Sequence, residues 1–482
     1  MPGTAGVVYV ELVREGQNRY RLPRRGKMLV DGVVYVDERL LPLVKKDKSL
    51  QQLANAACLP GVVGQVCGMP DIHEGFGLPI GGVMATAEDG VISAGAVGMD
   101  INCGMRLLST NIPAKSVGVP LLRRLIERIE EYVPTGVGKK GKHGAITEKI
   151  FEEVVHTGAP GIVERGYGRP DDNARTEEGG CLAGADLAAV SREAYKRGSV
   201  QLGTLGGGNH FIEIQEVEEI YDPAAAAAFG LEVGALAVMI HTGSRGFGHQ
   251  ICTDYSKSHL PVARKYGIEL PDKGLACAPS DSPEGRAYYA AMACAVNFAF
   301  ANRQLITYDV RAAFGDVFGC DPASLGLDVV YDVAHNIAKW EVHGGRRLLV
   351  HRKGATRALP PGHPANPRPF LATGHPVIVP GSMGTASYVL TGTPAAAEAF
   401  FSANHGAGRT RSRTAASKEI TREEFEASMG GVIYNVRNYR ELLDEAPSAY
   451  KDIDLVVETL AAIGMTRKVA RLRPKAVIKG RD

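Results

Sequence analysis

Apolar and polar positions alternate through residues 1–45, in "GVVYVELV" and "MLVDGVVYVDERL", and the period of two predicts short strands with turns at Gly and Pro. The period then lengthens. "VPLLRRLIERIEEYV" (119–133) places apolar residues at helical spacing with charges between them, which predicts an amphipathic helix. "CLAGADLAAVSREAYKRG" (181–198) predicts another, ended by Gly198. "GALAVMIHTGSRGFGH" (234–249) is a buried strand entering a Gly-rich turn, and "QICTDYSKSHL" after it predicts a helix that stops near Pro261. Ala-rich residues 284–314 predict one long helix or a helix pair. "GLDVVYDVAHN" and "RRLLVHRKGATRA" predict strands followed by loops, and 376–392 two strands around a Gly turn. Residues 415–465 are expected to be mainly helical, and 134–145 and 157–180, rich in Gly, Pro and charge, to be long loops.

Strands and helices mix along the whole chain without strict βαβ alternation, internal repeat or low-complexity linker. The expected fold class is α+β: one large mixed α/β domain spanning 1–482, with central sheets surrounded by helices.

Composition adds three constraints. Hydrophobic residues make up 45% of the 482 positions, enough for a large core, while aromatics reach only 6% with a single Trp, Trp340. The 58 glycines exceed a background of about 7% and cluster beside His, Asp and Cys, as backbone loops that approach a ligand would. The eight cysteines form no CxxC pair, no apolar run reaches the roughly 18 residues of a membrane span, and the N-terminus lacks a signal-peptide layout, so a reducing cytoplasm is the expected location.

Formal net charge is only +2, so a nucleic-acid partner would need positive charge gathered locally. The tail "TRKVARLRPKAVIKGRD" (466–482) and "GRTRSR" gather it, which predicts salt-dependent RNA binding; a solvated face with a fraying tail accounts for the same residues.

Five of the thirteen histidines stand out by setting: His73 in "MPDIHEGFG", His210 in "GGGNHFIEI", His241 in "VMIHTGSRG", His335 in "YDVAHNIAK" and His405 in "SANHGAGR". His210, His241 and His335 sit at the edges of apolar, strand-like runs, from which a side chain projects into a pocket formed by the next loop. In "GAVGMDINCGMR", Asp100 and Cys103 are placed to face one point. With three imidazoles they make a mixed O, S, N set of five donors, more than a structural zinc site takes, and a thiolate bridging two borderline ions such as Mn²⁺ or Zn²⁺ is chemically reasonable. The plainer reading makes Cys103 a core thiol and Asp100 a turn residue.

"GTLGGGNH", "GSRGFGH", "VPGSMGTAS" and "NHGAGR" present backbone N–H groups suited to phosphate. None is a Walker A loop or a dinucleotide fingerprint. His405 itself could be a metal ligand, proton shuttle, nucleophile or turn residue. A two-metal phosphoesterase and a non-catalytic RNA- or nucleotide-binding protein remain compatible with these residues.

Taken together in order, "MPDIHEGFGLPIGGVMAT", "GAVGMDINCGMR", "LGTLGGGNHFIEI", "MIHTGSRGFGHQI", "YDVAHNIAK", "HRKGATRA", "VIVPGSMGTASYVL", "NHGAGR" and "AVIKG" resemble the RtcB family of GTP-dependent 3′-phosphate RNA ligases, from about residue 26 to the end. The resemblance implies two Mn²⁺ ions bridged by Cys103, with Asp100, His210, His241 and His335 as further ligands. It implies that His405 becomes guanylylated and that Asn209 contacts the nucleotide phosphates. Guanylate contacts fall on Glu213, Ser382, Ser387, Tyr450 and Lys479, with Tyr450 stacking on the base. Arg245, Lys353 and Arg409 are the candidates for RNA phosphates. The implied reaction joins RNA 2′,3′-cyclic phosphate or 3′-phosphate ends to 5′-hydroxyl ends in tRNA splicing or RNA repair, often with an activating protein, archease.

Overall fold

The structure, a computed structural model, describes residues 11–143, 148–436 and 438–480. Two large sheets organise it. The first has seven strands in the order Val13–Gly16, Arg19–Leu22, Asp31–Tyr35, Val62–His73, Ile80–Thr86, Arg346–Lys353 and Asn336–His343. The second, of eight strands, runs Gly326–Ala334, Gly104–Pro113, Ala235–Thr242, Phe211–Ile220, Thr466–Lys479, Ser387–Gly392 and Pro376–Val379, with Ile433–Tyr434 parallel to Thr466–Lys479. The mixed α/β class with several sheets is as the sequence leads one to expect. His335 is the one residue between Gly326–Ala334 of the second sheet and Asn336–His343 of the first, so it lies where the two sheets join.

A single helix, Pro283–Phe318, occupies the region read as one helix or two. Ser282 Oγ caps it by accepting the Gly285 N–H, Pro283 starts it, and Gly319 ends it at φ 67. Its Ala-rich surface packs on Glu148–Glu164 and Val119–Tyr132, the latter burying Leu122, Leu125, Ile126 and Ile129.

Several boundaries differ from the sequence reading. Residues 157–180 are not one long loop: two helical segments within Glu148–Glu164 meet at Gly158, Pro160 lies in the second, and Pro170–Ala174 follows. The breaker signal marks a kink instead, with Gly158 at φ 63 where a Cβ would fall 2.1 Å from the Gly180 carbonyl oxygen; Val154, Val155, Ala159 and Ile162 bury on both sides of it. In 181–198 only Arg192–Gly198 is α-helical, because Asp186 and Ser191 accept the Ala188 and Ala194 N–H groups and restart the chain. Pro261 does not stop its helix, which spans Arg245–Lys265; the proline is exposed, as is Lys257, whose carbonyl it leaves without a donor. Residues 415–465 hold three short α-helices, Arg413–Glu419, Arg422–Met429 and Ile453–Ala462, separated by 3-10 turns and the strand Ile433–Tyr434. Of the first expected strand, residues 6–10 lie outside the described residues; Asp31–Tyr35 realises the second.

As far as Lys479 the basic tail is neither frayed nor a free cationic patch. Thr466–Lys479 is an interior strand of the second sheet. Its cations face acids: Arg467 meets Asp222, Lys468 Glu458, Arg471 Glu218, and Arg473 and Lys475 share Glu216. In "GRTRSR", Arg409 and Arg413 pair with Glu445 and Arg411 with Glu424. The expected local excess of positive charge is therefore offset by carboxylates; Arg481 lies outside the described residues.

Candidate active site

Neighbouring strands of the second sheet carry the donors to one end. Register pairs Met105 and Phe211 with His241, and Gly104 with Thr242 and Ala334, so Cys103, His210, His241 and His335 converge. Asp100 and Cys103 lie on the loop between the short helix Ala94–Val97 and Gly104–Pro113. That loop turns through Gly98 at φ 106 and Asn102 at φ 51. Asn102 holds this left-handed conformation because buried Arg303 donates to its carbonyl at 2.9 Å and to its side-chain Oδ1 at 3.0 Å. Arg303 also donates to the Thr242 carbonyl at 2.8 Å and pairs with Asp332, so one guanidinium fixes both the Cys103 loop and the end of the His241 strand.

Two triads result, Asp100–Cys103–His210 and Cys103–His241–His335, with donor atoms within 4.8 Å of one another and Cys103 common to both. Cys103 Sγ is 3.4 Å from His210 Nε2 and 3.2 Å from His241 Nε2, and His241 Nε2 is 3.3 Å from His335 Nε2. His210 and His241 each turn Nδ1 to a backbone carbonyl, of Leu205 and Asn209, at 3.0 Å. A hydrogen on Nδ1 leaves Nε2 with its lone pair toward the cluster, the orientation metal-binding histidines take. Burial lowers His210, His241 and His335, so the imidazoles are neutral donors. Burial pushes the Cys103 thiol up, and the Asp100 charge adds to it; a divalent cation is what would ionise it there. Burial alone would raise Asp100 too, but the His210 hydrogen bond and Arg245 outweigh it and hold the carboxyl at about 2. The donor set fits a pair of divalent ions sharing one thiolate.

The cluster opens on a cavity of about 310 Å³ whose wall includes Asn209, His241, Ser382, His405, Tyr450 and Lys479. His405 follows the strand Ser402–Asn404, paired with Ala355–Arg357. Its ring lies 4.8 Å from that of His335. Asp71, wholly buried, accepts three hydrogen bonds on Oδ2: from His405 Nδ1 at 2.6 Å, His405 N at 3.1 Å and Gly406 N at 3.3 Å. Gly408, at φ 76, lets the loop approach, since a Cβ there would sit 2.2 Å from the Asp71 carbonyl oxygen.

On the cavity's far side the Arg409 guanidinium lies 4.9 Å from the Tyr450 ring centroid and donates to Glu445 at 3.1 Å. The Tyr450 hydroxyl donates to Glu445, and Lys479 Nζ is 3.8 Å from the same carboxylate. Arg409 is thus built into the cavity wall. Glu213 and Ser387 form a layer behind the cavity, joined by the Gln215 amide, which donates to both. Burial pushes Glu213 up to about 8. Arg245 caps the "GTLGGGN" loop: a Cβ on Gly206 would fall 1.9 Å from its Cζ, so the guanidinium occupies that space beside His210. Lys353 differs from its expected place at an RNA phosphate. It is buried, lowered by burial to about 8, and donates to the carbonyls of Phe76 and Gly95, so its ammonium braces the helix ahead of Asp100.

Asp71 and Glu445 are not singled out by the sequence, and Arg413 only as part of the basic run "GRTRSR". Asp71 stands in a stretch singled out only for His73, which also lines the cavity and is lowered to about 4 by burial. Its link to His405 crosses 334 positions and leaves no local signal. Arg413 and Glu445 line the cavity, Glu445 from a segment expected to be mainly helical.

Fold and site define a mixed α/β protein whose buried Cys/His/Asp centre, sharing one thiol between two triads, adjoins a cavity beside a carboxylate-held histidine. A family model described as tRNA-splicing ligase RtcB matches residues 52–480, and the chain belongs to that family. It is 47% identical over 472 residues to the tRNA-splicing ligase RtcB of Aeropyrum pernix, covering 96% of this chain and 98% of the relative. Identity to the tRNA-splicing ligase RtcB of Thermococcus kodakarensis is 45% over 480 residues, covering 98% and 99%. Identity to the RNA-splicing ligase RtcB of Mycobacterium tuberculosis is 48% over 440 residues, covering 89% and 100%.

Proposed function

We propose that this chain, a single domain over 1–482, is a GTP-dependent RNA ligase that joins 3′-phosphate or 2′,3′-cyclic phosphate ends to 5′-hydroxyl ends, in tRNA splicing or RNA repair. The observation that carries this reading is His405, held by buried Asp71, on the wall of a cavity that His241 of the Cys103–His241–His335 triad also lines. With Nδ1 donating to Asp71, Nε2 keeps its lone pair and is the nitrogen available for attack.

In the proposed first step His405 Nε2 attacks the α-phosphorus of GTP, an N–P bond forms and pyrophosphate leaves. The RNA 3′-phosphate oxygen then takes GMP from the histidine, giving an RNA-(3′)pp(5′)G end. The 5′-hydroxyl oxygen attacks the 3′ phosphorus, and GMP departs in place of an oxygen dianion that would leave poorly. Asp71 stabilises the positive charge His405 acquires as its N–P bond forms. Asn209, Ser382 and Lys479 suit the nucleotide's phosphates and guanine, with Glu213 and Ser387 supporting the pocket from behind. Tyr450 offers a ring for the base and Arg409 a cation, while Arg245 is poised for an RNA phosphate. Asp100, Cys103, His210, His241 and His335 would hold two Mn²⁺ ions, whose chemistry is to bind phosphate oxygens and neutralise their charge.

The resemblance extends the proposal to archease as an activating partner and to a cytoplasmic location. No helix among the described residues is long and apolar enough to cross a membrane, and all eight cysteines are free thiols. The test is to offer a 3′-phosphate RNA and a 5′-hydroxyl RNA with GTP and Mn²⁺. A joined product retaining the 3′-end phosphate supports the ligase; phosphate release or strand cleavage without joining supports the two-metal phosphoesterase.

A further inference from the structure

Lys451 follows the cavity residue Tyr450, yet its side chain points away from solvent and is 5% exposed. Its ammonium donates to the carbonyls of Pro70 at 3.1 Å and Ile72 at 2.5 Å. These two carbonyls flank Asp71. Its backbone N–H donates to the Gly408 carbonyl at 2.9 Å, on the other arm of the His405 loop. One residue therefore ties together the cavity wall, the strand that carries Asp71 and the loop that carries His405.

The charge on Asp71 shows why such a tie is needed. The carboxylate is wholly buried, Oδ2 takes all three of its N–H bonds, and Oδ1 has no hydrogen-bond partner. Gly81 leaves room for that oxygen, since a Cβ there would lie 2.9 Å from it. A buried carboxylate with one bare oxygen is costly unless a cation lies close by. The Lys451 ammonium, bonded to the carbonyls on either side of Asp71, is a cation that feels the Asp71 carboxylate. Burial lowers it to about 8 while Asp71 and Asp47 pull the other way.

Resting on the ligase reading above, we propose that Lys451 is a positioning residue for the guanylylation step, acting on His405 through Asp71. Its ammonium supplies positive charge beside the Asp71 segment, and its grip on residues 70 and 72 aims the Asp71 carboxylate at His405 Nδ1. It touches neither nucleotide nor RNA.

The test is a double-mutant cycle in the full chain, with labelled GTP and Mn²⁺. Lys451→Met is expected to lower the rate of protein–GMP adduct formation by about 10- to 100-fold, with KM for GTP changed less than about twofold. In an Asp71→Asn background the same substitution is expected to cost less than about twofold, because the carboxylate it serves is gone. A full additional loss in that background, or a raised KM with an unchanged rate, overturns the proposal. If Lys451→Met fails to fold, Asp71→Asn/Lys451→Met is expected to recover the fold, since both buried charges are then removed; failure of the pair also overturns it. Should the wild-type chain form no adduct, the ligase reading fails by itself. The thermal midpoints of the same four proteins still decide the Asp71–Lys451 dependence: Lys451→Met must lower the midpoint more with Asp71 present than in the Asp71→Asn background.

Discussion

Asp71 Oδ2 stands 2.6 Å from His405 Nδ1, and the same oxygen also receives the backbone N–H groups of His405 and Gly406. Backbone and side chain of one histidine are thus fixed by one buried carboxylate oxygen. Asp71→Asn keeps the shape but removes the carboxylate that, in the proposed step, opposes the charge developing on His405. Adduct formation is expected to fall by about 10²-fold with the far-ultraviolet spectrum unchanged. A rate within about threefold of wild type would show that the carboxylate has no part in the step.

Cys103 belongs to both triads, so its loss removes a donor from each. Cys103→Ala is expected to lower bound Mn²⁺ from about two ions per chain to one or none and to abolish ligation. Elemental analysis of the equilibrated protein measures this. Full metal content in the variant would remove Cys103 from the ligand set.

Glu213 gives the site a pH signature in the nucleotide-free protein. Burial raises its carboxyl to about 8, so between its unfolded value near 4.5 and about 8 the folded chain holds a proton that the unfolded chain has released. Stability contributed by this group is present at low pH and falls as pH rises through that window. Glu213→Gln cannot ionise. Its thermal midpoint should exceed that of wild type by a few degrees at about pH 8, about 1 °C per kcal/mol for a chain of this size, and the gap should close toward about pH 5. An unchanged gap across that range would contradict the assignment.

The paired cations of Thr466–Lys479 lead to a different expectation for RNA binding than their sequence suggests. Arg471 and Arg473 already face Glu218 and Glu216. Replacing either with Gln should change RNA affinity less than about twofold and stability by no more than about 1 kcal/mol. A drop of about one in the salt slope per substitution would instead make them phosphate contacts.

How far the sequence was legible follows from the range of each interaction. Cys103, His210, His241 and His335 were visible because each ends or begins an apolar strand, and strand ends are where sheets deliver side chains. Asp100 was visible through its spacing from Cys103. Asp71 was not, because its partner is remote in the chain and nothing in "MPDIHEGFG" distinguishes a carboxylate aimed at another loop from one in a turn. Lys353 was misplaced because sequence does not reveal that a lysine's ammonium is consumed by two carbonyls. Pro261 shows the same limit for the backbone: local propensity marks a break, while packing lets the helix continue to Lys265.

The most direct test of the account is the covalent one. Incubated with α-labelled GTP and Mn²⁺, the intact chain is expected to take up label in an acid-labile, base-stable bond that peptide mass spectrometry places on His405, and His405→Ala is expected to take up none. No label on the wild-type chain, or undiminished label on His405→Ala, would contradict the account.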